Sequence, residues 1–306
     1  MDARVKVFRP IQIGETPLGF QQAIPIGDGS FEGPLLRGTA IAGAADWQLI
    51  RRDGVALLDV TGAMLTDDGV TIRVSSKGMR HGPREVMQRL AAGEQVLPTE
   101  YYMRAVAKFD APAGRYEWLN RALFVTWGER YANEVVIHYF AVAMGETANS
   151  QPASQLVPPS IFPKAEYVFA ITGSIAEPMT MGDTALGTKR AIPITGGSVQ
   201  GDKIRGRVIP GGADWQLIRR DGVTELEASY ALQLDDGAIV QVVNRGIMVP
   251  APQHAGPNAK PVIRTAISFE APAGPHEWLN KAIFLTTVNL HPELSNAVLV
   301  NVYRLA

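Results

Sequence analysis

ADWQLIRRDG, Ala45–Gly54, recurs letter for letter at Ala213–Gly222, 168 positions further on. A ten-residue identity that includes Trp is not a chance event, so the chain is an internal duplication. The match spreads outward from this string. AIPI at Ala23–Ile26 meets AIPI at Ala191–Ile194, Gly29-Ser30 meets Gly197-Ser198, and DDG at Asp67–Gly69 meets DDG at Asp235–Gly237, all at one offset. Beyond Tyr101 the offset falls to 160, where APAG at Ala111–Gly114 meets Ala271–Gly274 and EWLN at Glu117–Asn120 meets Glu277–Asn280. The first copy therefore carries a short insertion between about Gly82 and Tyr101. Solenoid repeats run about 20–50 residues. A unit near 140 residues is a whole domain.

Each copy reads as β. Short runs of alternating apolar and polar residues (VKVF, WQLIRR, ALLDVTGAML, VTIRVSSKG, YMRAVAKF, VVIHYFAV) are separated by the turn signals GDGS, RRDG, TDDG and APAG. One segment departs from this, PREVMQRLAAGE at Pro83–Glu94, which suits a helical turn or two within the first copy's insertion. Eight or so antiparallel strands in about 140 residues imply a sandwich or a closed barrel, and long strands without a protected edge favour the barrel. The expected architecture is all-β: residues 1–144 as one antiparallel barrel, a Pro/Ser-rich linker over 145–164, and residues 165–306 as a second barrel. The first copy starts almost inside its opening strand, so that strand is expected to be short or covered by the linker or a partner.

The 306 residues carry 29 Lys+Arg against 30 Asp+Glu, with hydrophobic content of 46%. A near-neutral chain without basic runs speaks against nucleic-acid or anionic-membrane partners. With no cysteine, disulfides, thiolate catalysis and Cys-ligated zinc are excluded. No signal-peptide core is visible in MDARVKVFRP, and no apolar run is long enough for a membrane span. The expectation is a soluble, cytoplasmic protein with packing between its two barrels, and homo-oligomerisation stays open. His138, His254, His276 and His291 show no ligand spacing, the glycine strings TGGS and GDGS lack a following helix, and GxSxG is absent. No metal and no cofactor are expected.

Candidate site residues come from what the copies share and from what they do not. Arg104 and its counterpart Arg264 sit on apolar strand faces, where a guanidinium needs a partner. Asp46/Asp214 and Asp67/Asp235 are the nearest recurring acids. Two readings stand: a structural Arg–Asp pair at the barrel mouth, or an anchor for a substrate carboxylate, phenolate or enolate. Asp46 and Asp214 precede Trp at what reads as a strand start, which suits a turn cap as well as catalysis. Trp47/Trp215 and Trp118/Trp278 read as core or barrel-end fillers, with ligand stacking as the alternative.

The strings GSVQGDKIRGRVIPGGADWQLIRRDG, DDGAIVQVVNRG and EWLNKAIF, with SSKGMRHGP and YYMRAVAKF in the first copy, resemble the DUF3237 (UPF0311) family over nearly all of both copies. The resemblance implies a calycin-like or allene-oxide-cyclase-like β-barrel in each copy, and it implies little about activity. Barrels of that shape bind apolar small molecules, and some catalyse cyclisation, isomerisation or elimination.

The first copy holds Gly78, Arg80, His81, Gly82 and Pro83, then Tyr101, Tyr102, Met103 and Arg104. The second has Met248 and Val249 in place of Arg80 and His81, and lacks both tyrosines. This divergence places the site in the N-terminal copy. Adjacent tyrosines point to opposite faces, and Tyr102 shares its parity with Arg104, so Tyr102 is taken to face the lumen. The catalytic candidates are His81 as proton carrier, Tyr102 as oxyanion donor, and Arg104 and Asp46 as orienting groups. The substrate-binding candidates are Arg80, Trp47, Asp214, Arg264 and Asn244. The expected function is a cofactor-independent lyase, isomerase or cyclase for a hydrophobic, aromatic or polyketide-like molecule. A non-catalytic carrier barrel and a structural pseudo-dimer are the alternatives. His81 has a second reading as a turn residue.

Overall fold

The computed structural model describes residues 1–142, 163–251, 259–291, 293–294 and 296–306. The chain divides into two compact units, Met1–Val142 and Ala143–Ala306. Almost all of the linker expected over 145–164, and His254, lie outside the described residues.

In the first unit the strands are β1 (Asp2–Val7), β2 (Ile11–Thr16), β3 (Gly19–Glu32), β4 (Arg37–Ile50), β5 (Ala56–Thr66), β6 (Thr71–His81), β7 (Tyr102–Asp110), β8 (Phe124–Arg130) and β9 (Glu134–Ala141). Sequence neighbours pair antiparallel from β2 to β9, β9 pairs with β1, and β1 pairs with β3. That last pairing closes an eight-stranded antiparallel barrel, with β2 as an appended hairpin arm. The second unit repeats the circuit with β10 (Ala165–Ile175), β11 (Met179–Thr184), β12 (Gly187–Gly201), β13 (Arg205–Ile218), β14 (Thr224–Leu234), β15 (Ile239–Val249), β16 (Val262–Glu270), β17 (Phe284–Leu290) and β18 (Ala297–Leu305), closed by β10 against β12.

The repeated motifs now have physical reasons. Gly29 and Gly197 sit at the closing seam, where a Cβ would collide with the carbonyl oxygens of Arg4 and Thr172. In EWLN, Asn120 accepts a hydrogen bond from the Ala111 amide and donates one to the Ala111 carbonyl, both at 2.8 Å, and Asn280 does the same with Ala271. This ties the Glu117–Arg121 and Glu277–Lys281 3₁₀ turns to APAG, and Leu119 and Leu279 seal one end of each core. RRDG makes the β4–β5 and β13–β14 hairpins, with Arg51 and Arg219 bonded to Asp53 and Asp221, and Gly54 and Gly222 at φ of +84° and +82°.

The first copy's short opening strand is paired on both sides, to β3 and to β9. Its insertion forms the helix α1 (Arg84–Ala91), as the sequence suggests. Leu90 of α1 packs with Val96, Tyr101, Met103 and Val135, and so roofs the end of the first barrel opposite the 3₁₀ turn.

Candidate functional site

The alternation of each strand sorts its residues into lumen and outer wall. In the first barrel the lumen receives Asp46 and Gln48 from β4, Val60 and Gly62 from β5, Ser76 and Arg80 from β6, Met103 and Ala105 from β7, Thr126 and Arg130 from β8, and Ile137 and Tyr139 from β9. They enclose a cavity of about 120 Å³. At roughly 10–15 Å³ per water-sized position, that is room for a ligand of about ten non-hydrogen atoms. Most of the lining is aliphatic, and the polar groups converge on one region.

Asp46 is the centre of that region. It lies within β4, beside a bulge between Ile41 and Ala45, and not at a strand start as the sequence suggests. Gln22 donates to the Gln48 carbonyl oxygen at 2.8 Å, and Gln48 donates to Oδ2 of Asp46 at 2.6 Å. Oδ1 of Asp46 is buried without a hydrogen-bond partner. Burial pushes the carboxyl above the usual carboxylate range, and the Gln48 hydrogen bond, the positive charge of Arg80 and the Asp59 backbone amide offset this only in part. Arg80 carries the complementary orphan: its Nε is buried with no acceptor. Burial also lowers the Arg80 pKa, opposed by the charges of Asp46 and Tyr101. Arg130 completes the group. Its guanidinium bonds the carbonyls of Tyr131, Ala132 and Glu134, and its pKa is lowered by burial and then by Arg80. The Tyr101 hydroxyl accepts the Arg130 amide at 2.8 Å.

The chemistry this permits is specific. An acid with one free buried oxygen faces a cation with one free buried N–H across an apolar lumen. Such a pair accommodates a small apolar molecule with one oxygen function, at which charge can be held and a proton moved.

Several sequence candidates lie elsewhere. On β7 the cavity is lined by Met103, Arg104 and Ala105 and by neither tyrosine; Tyr101 packs with Met103 in the core cluster at that end, and Tyr102 lies on the other face. Arg104 sits at the border of the cavity, on the face of Tyr102. Its guanidinium lies 3.5 Å from the Trp127 ring centroid and 5.0 Å from that of Tyr102, and burial pushes its pKa down to about 10. The partner expected among the acids is thus an aromatic pair, and Asp67 instead bridges Arg37. His81 stacks on Tyr102 at 4.9 Å and does not line the cavity. Trp47 and Trp215 are not core fillers. They project outward, 57% and 51% exposed, while Trp118 and Trp278 pack on the cores as expected. The lumen thus gathers Asp46 and Arg80, with Arg104 at its border, and leaves His81, Tyr102 and Trp47 outside.

The second barrel keeps half of this arrangement. Arg190 donates to Gln216 at 2.7 Å, Gln216 donates to Asp214 at 2.5 Å, and Oδ1 of Asp214 is again without a partner. Asn244 is buried, donating to Thr286 at 3.4 Å, and Thr286 in turn bonds Thr265. In register, however, Met248 replaces Arg80 and Leu290 replaces Arg130. Arg264, like Arg104, bonds the carbonyl of the residue before it.

Arg130, Gln48 and Gln22 are not among the residues the sequence singles out, and Tyr101 is there set aside in favour of Tyr102. The signal for Arg130 was present, because it is charged in one copy and aliphatic in the other, as Arg80 is.

Among the described residues no helix is long and apolar enough to cross a membrane, and no cluster of three or more His, Asp or Glu side chains is placed to hold a metal ion. A UPF0311 protein of Rhodopseudomonas palustris is 37% identical over 138 residues, spanning 42% of this chain and 90% of that protein. A crystal structure of a conserved protein of unknown function from the same species is 35% identical, with a TM-score of 0.43, over 47% of this chain and 99% of the other. A beta-barrel like protein from Acinetobacter baumannii is 25% identical, with a TM-score of 0.44, over 49% of this chain and 99% of the other. The family profile described as "Protein of unknown function (DUF3237)" matches residues 1–142 and again 163–305. The chain belongs to the DUF3237 family, as two copies of its barrel in tandem.

Proposed function

We propose that the first barrel is a cofactor-independent proton-transfer enzyme, an isomerase or lyase, for a small apolar molecule that carries one oxygen function. The observation that carries this reading is the pair of orphaned buried atoms in an apolar lumen, Oδ1 of Asp46 and Nε of Arg80. A carboxyl held up by burial is suited to exchanging a proton near neutral pH. The step is a carbon–proton exchange. Asp46 removes a proton from the carbon next to a carbonyl, a carboxyl O–H forms, and the electron pair moves to the carbonyl oxygen, where the Arg80 cation holds the enolate. Returning the proton to the same or another carbon completes exchange or isomerisation. No redox partner is needed. Gln48, itself held by Gln22, positions the carboxyl.

β-Tetralone, a bicyclic ketone with acidic α-protons, fits the cavity's size and serves as the probe. Loss of its α-proton signal in deuterated buffer, followed by NMR, should be accelerated by the wild-type protein. Asp46→Asn should reduce that rate by about 10²-fold or more, the usual range for losing a general base, and Tyr102→Phe should leave it unchanged. Equal rates for wild type and Asp46→Asn would remove the catalytic role and leave a carrier.

A further inference from the structure

The two barrels differ at one small but decisive place. At the β4–β5 bulge the first barrel has Ala44 and Gly62, both lining the cavity, and the cavity extends there to Ile41, which is 42% exposed. A Cβ on Gly62 would lie 3.1 Å from the Ala44 Cβ, so the open space depends on both residues being small. The second barrel has the same bulge, between Ile209 and Ala213. In register, Gly62 opposite Val74 becomes Tyr230 opposite Val242, and Ala44 becomes Gly212. The Tyr230 ring packs against the second barrel's core cluster. A Cβ on Gly212 would come within 2.4 Å of the Ser229 carbonyl oxygen and 2.6 Å of the Tyr230 Cβ, so the backbones approach closely beside the tyrosine. The side chain that replaces a hydrogen thus puts a phenol ring into the second barrel where the first is open. Burial first, and then Asp214, raises the Tyr230 pKa.

We infer that Tyr230 is a built-in stand-in for the first barrel's ligand: the first lumen takes a phenolic or enol ring with its oxygen toward Asp46, and the second holds the same kind of site filled by its own tyrosine. This rests on the reading of the first lumen as a ligand site and narrows that ligand to a ring bearing an acidic hydroxyl.

p-Cresol, the free form of the tyrosine side chain, tests this directly, with toluene as the control that lacks the hydroxyl. The full chain should bind p-cresol in the first barrel and toluene at least tenfold more weakly, by calorimetry or ligand-observed NMR. Tyr230→Gly should add a second p-cresol site, weaker than the first because Met248 and Leu290 stand in place of Arg80 and Arg130, and p-cresol should restore the variant's lowered melting temperature. The double substitution Ala44→Gly with Gly62→Tyr, which writes the second barrel's pair into the first, should weaken p-cresol binding by tenfold or more. Should that variant not fold, the Tyr230→Gly arm decides alone. A Tyr230→Gly protein with wild-type stoichiometry, or toluene bound as tightly as p-cresol, overturns the inference. p-Cresol bound in the expected ratios by a protein that exchanges no β-tetralone protons refutes the proton-transfer reading and leaves this inference standing.

Discussion

Replacing Arg80 by Met should make the protein more stable and its ligand site weaker, and the opposed signs follow from the structure. Arg80 is a half-buried cation whose Nε is buried without an acceptor. An unsatisfied buried polar atom costs about 1–3 kcal/mol. Replacing a whole buried ion pair by apolar residues of similar volume is often neutral or stabilising by about 1–4 kcal/mol, and removing one partner alone is costly only where the other is left buried and charged. The loss of attraction to Asp46 is blunted, because burial already holds that carboxyl toward its neutral form. The second barrel has made the same exchange, with Met248 in register. The net expectation is a gain of about 1–2 kcal/mol, which for a barrel of this size is a rise of a few degrees in Tm. Ligand binding moves the other way. One lost charge-assisted hydrogen bond is worth about 1.5–3 kcal/mol, so p-cresol should bind about tenfold to about a hundredfold more weakly. Differential scanning calorimetry and a p-cresol titration on one preparation read both. A destabilised Arg80→Met protein with unchanged p-cresol affinity would mean that Arg80 is a structural ion-pair residue and not a ligand group.

Further outcomes follow from the same geometry. The Asp46 carboxyl is raised in the folded protein, so its contribution to stability is full below the unfolded carboxylate range near about pH 4 and is lost as pH rises through the folded value. Urea midpoints should therefore move in favour of Asp46→Asn relative to wild type as pH is raised, and parallel pH profiles would contradict this. Tyr101→Phe strips the acceptor from the half-buried Arg130 amide and should cost about 0.5–1.5 kcal/mol, read by equilibrium unfolding. His81→Ala removes a ring that stacks outside the lumen and should change p-cresol affinity less than about twofold. Gly38→Ala drives a Cβ into the Leu65 carbonyl at the β4–β5 ladder and should destabilise the first barrel by about 1–3 kcal/mol.

The fold was legible because duplication exposes what a barrel cannot vary. ADWQLIRRDG holds a lumen acid, its positioning glutamine and a complete hairpin turn, and each constrains its sequence for a different reason. The helix in the insertion was legible too, from its 3.6-residue pattern. The side-chain directions were harder. Alternation says which residues share a face but not which face is inside, and burial did not break the tie. Arg104 is 5% exposed at the border of the cavity because Trp127 and Tyr102 cover it, so tying Tyr102 to it does not bring Tyr102 into the lumen. Comparing copies singles out Arg80 of the N-terminal barrel, which lines the first cavity. The same comparison applied to the strand ends gives Arg130 against Leu290, and applied to the bulge gives Gly62 against Tyr230. Those contrasts are visible in the sequence but acquire meaning only once the register places them in the lumen.

The most direct test is a crystal structure of the full chain soaked with p-cresol. The ring should lie in the first lumen, its oxygen within hydrogen-bond reach of Asp46 Oδ1 and Arg80 Nε, with Tyr230 undisturbed. A ring seated instead on the outer wall beside His81 and Tyr102, with the first lumen empty, would contradict the assignment of the site to the barrel interior.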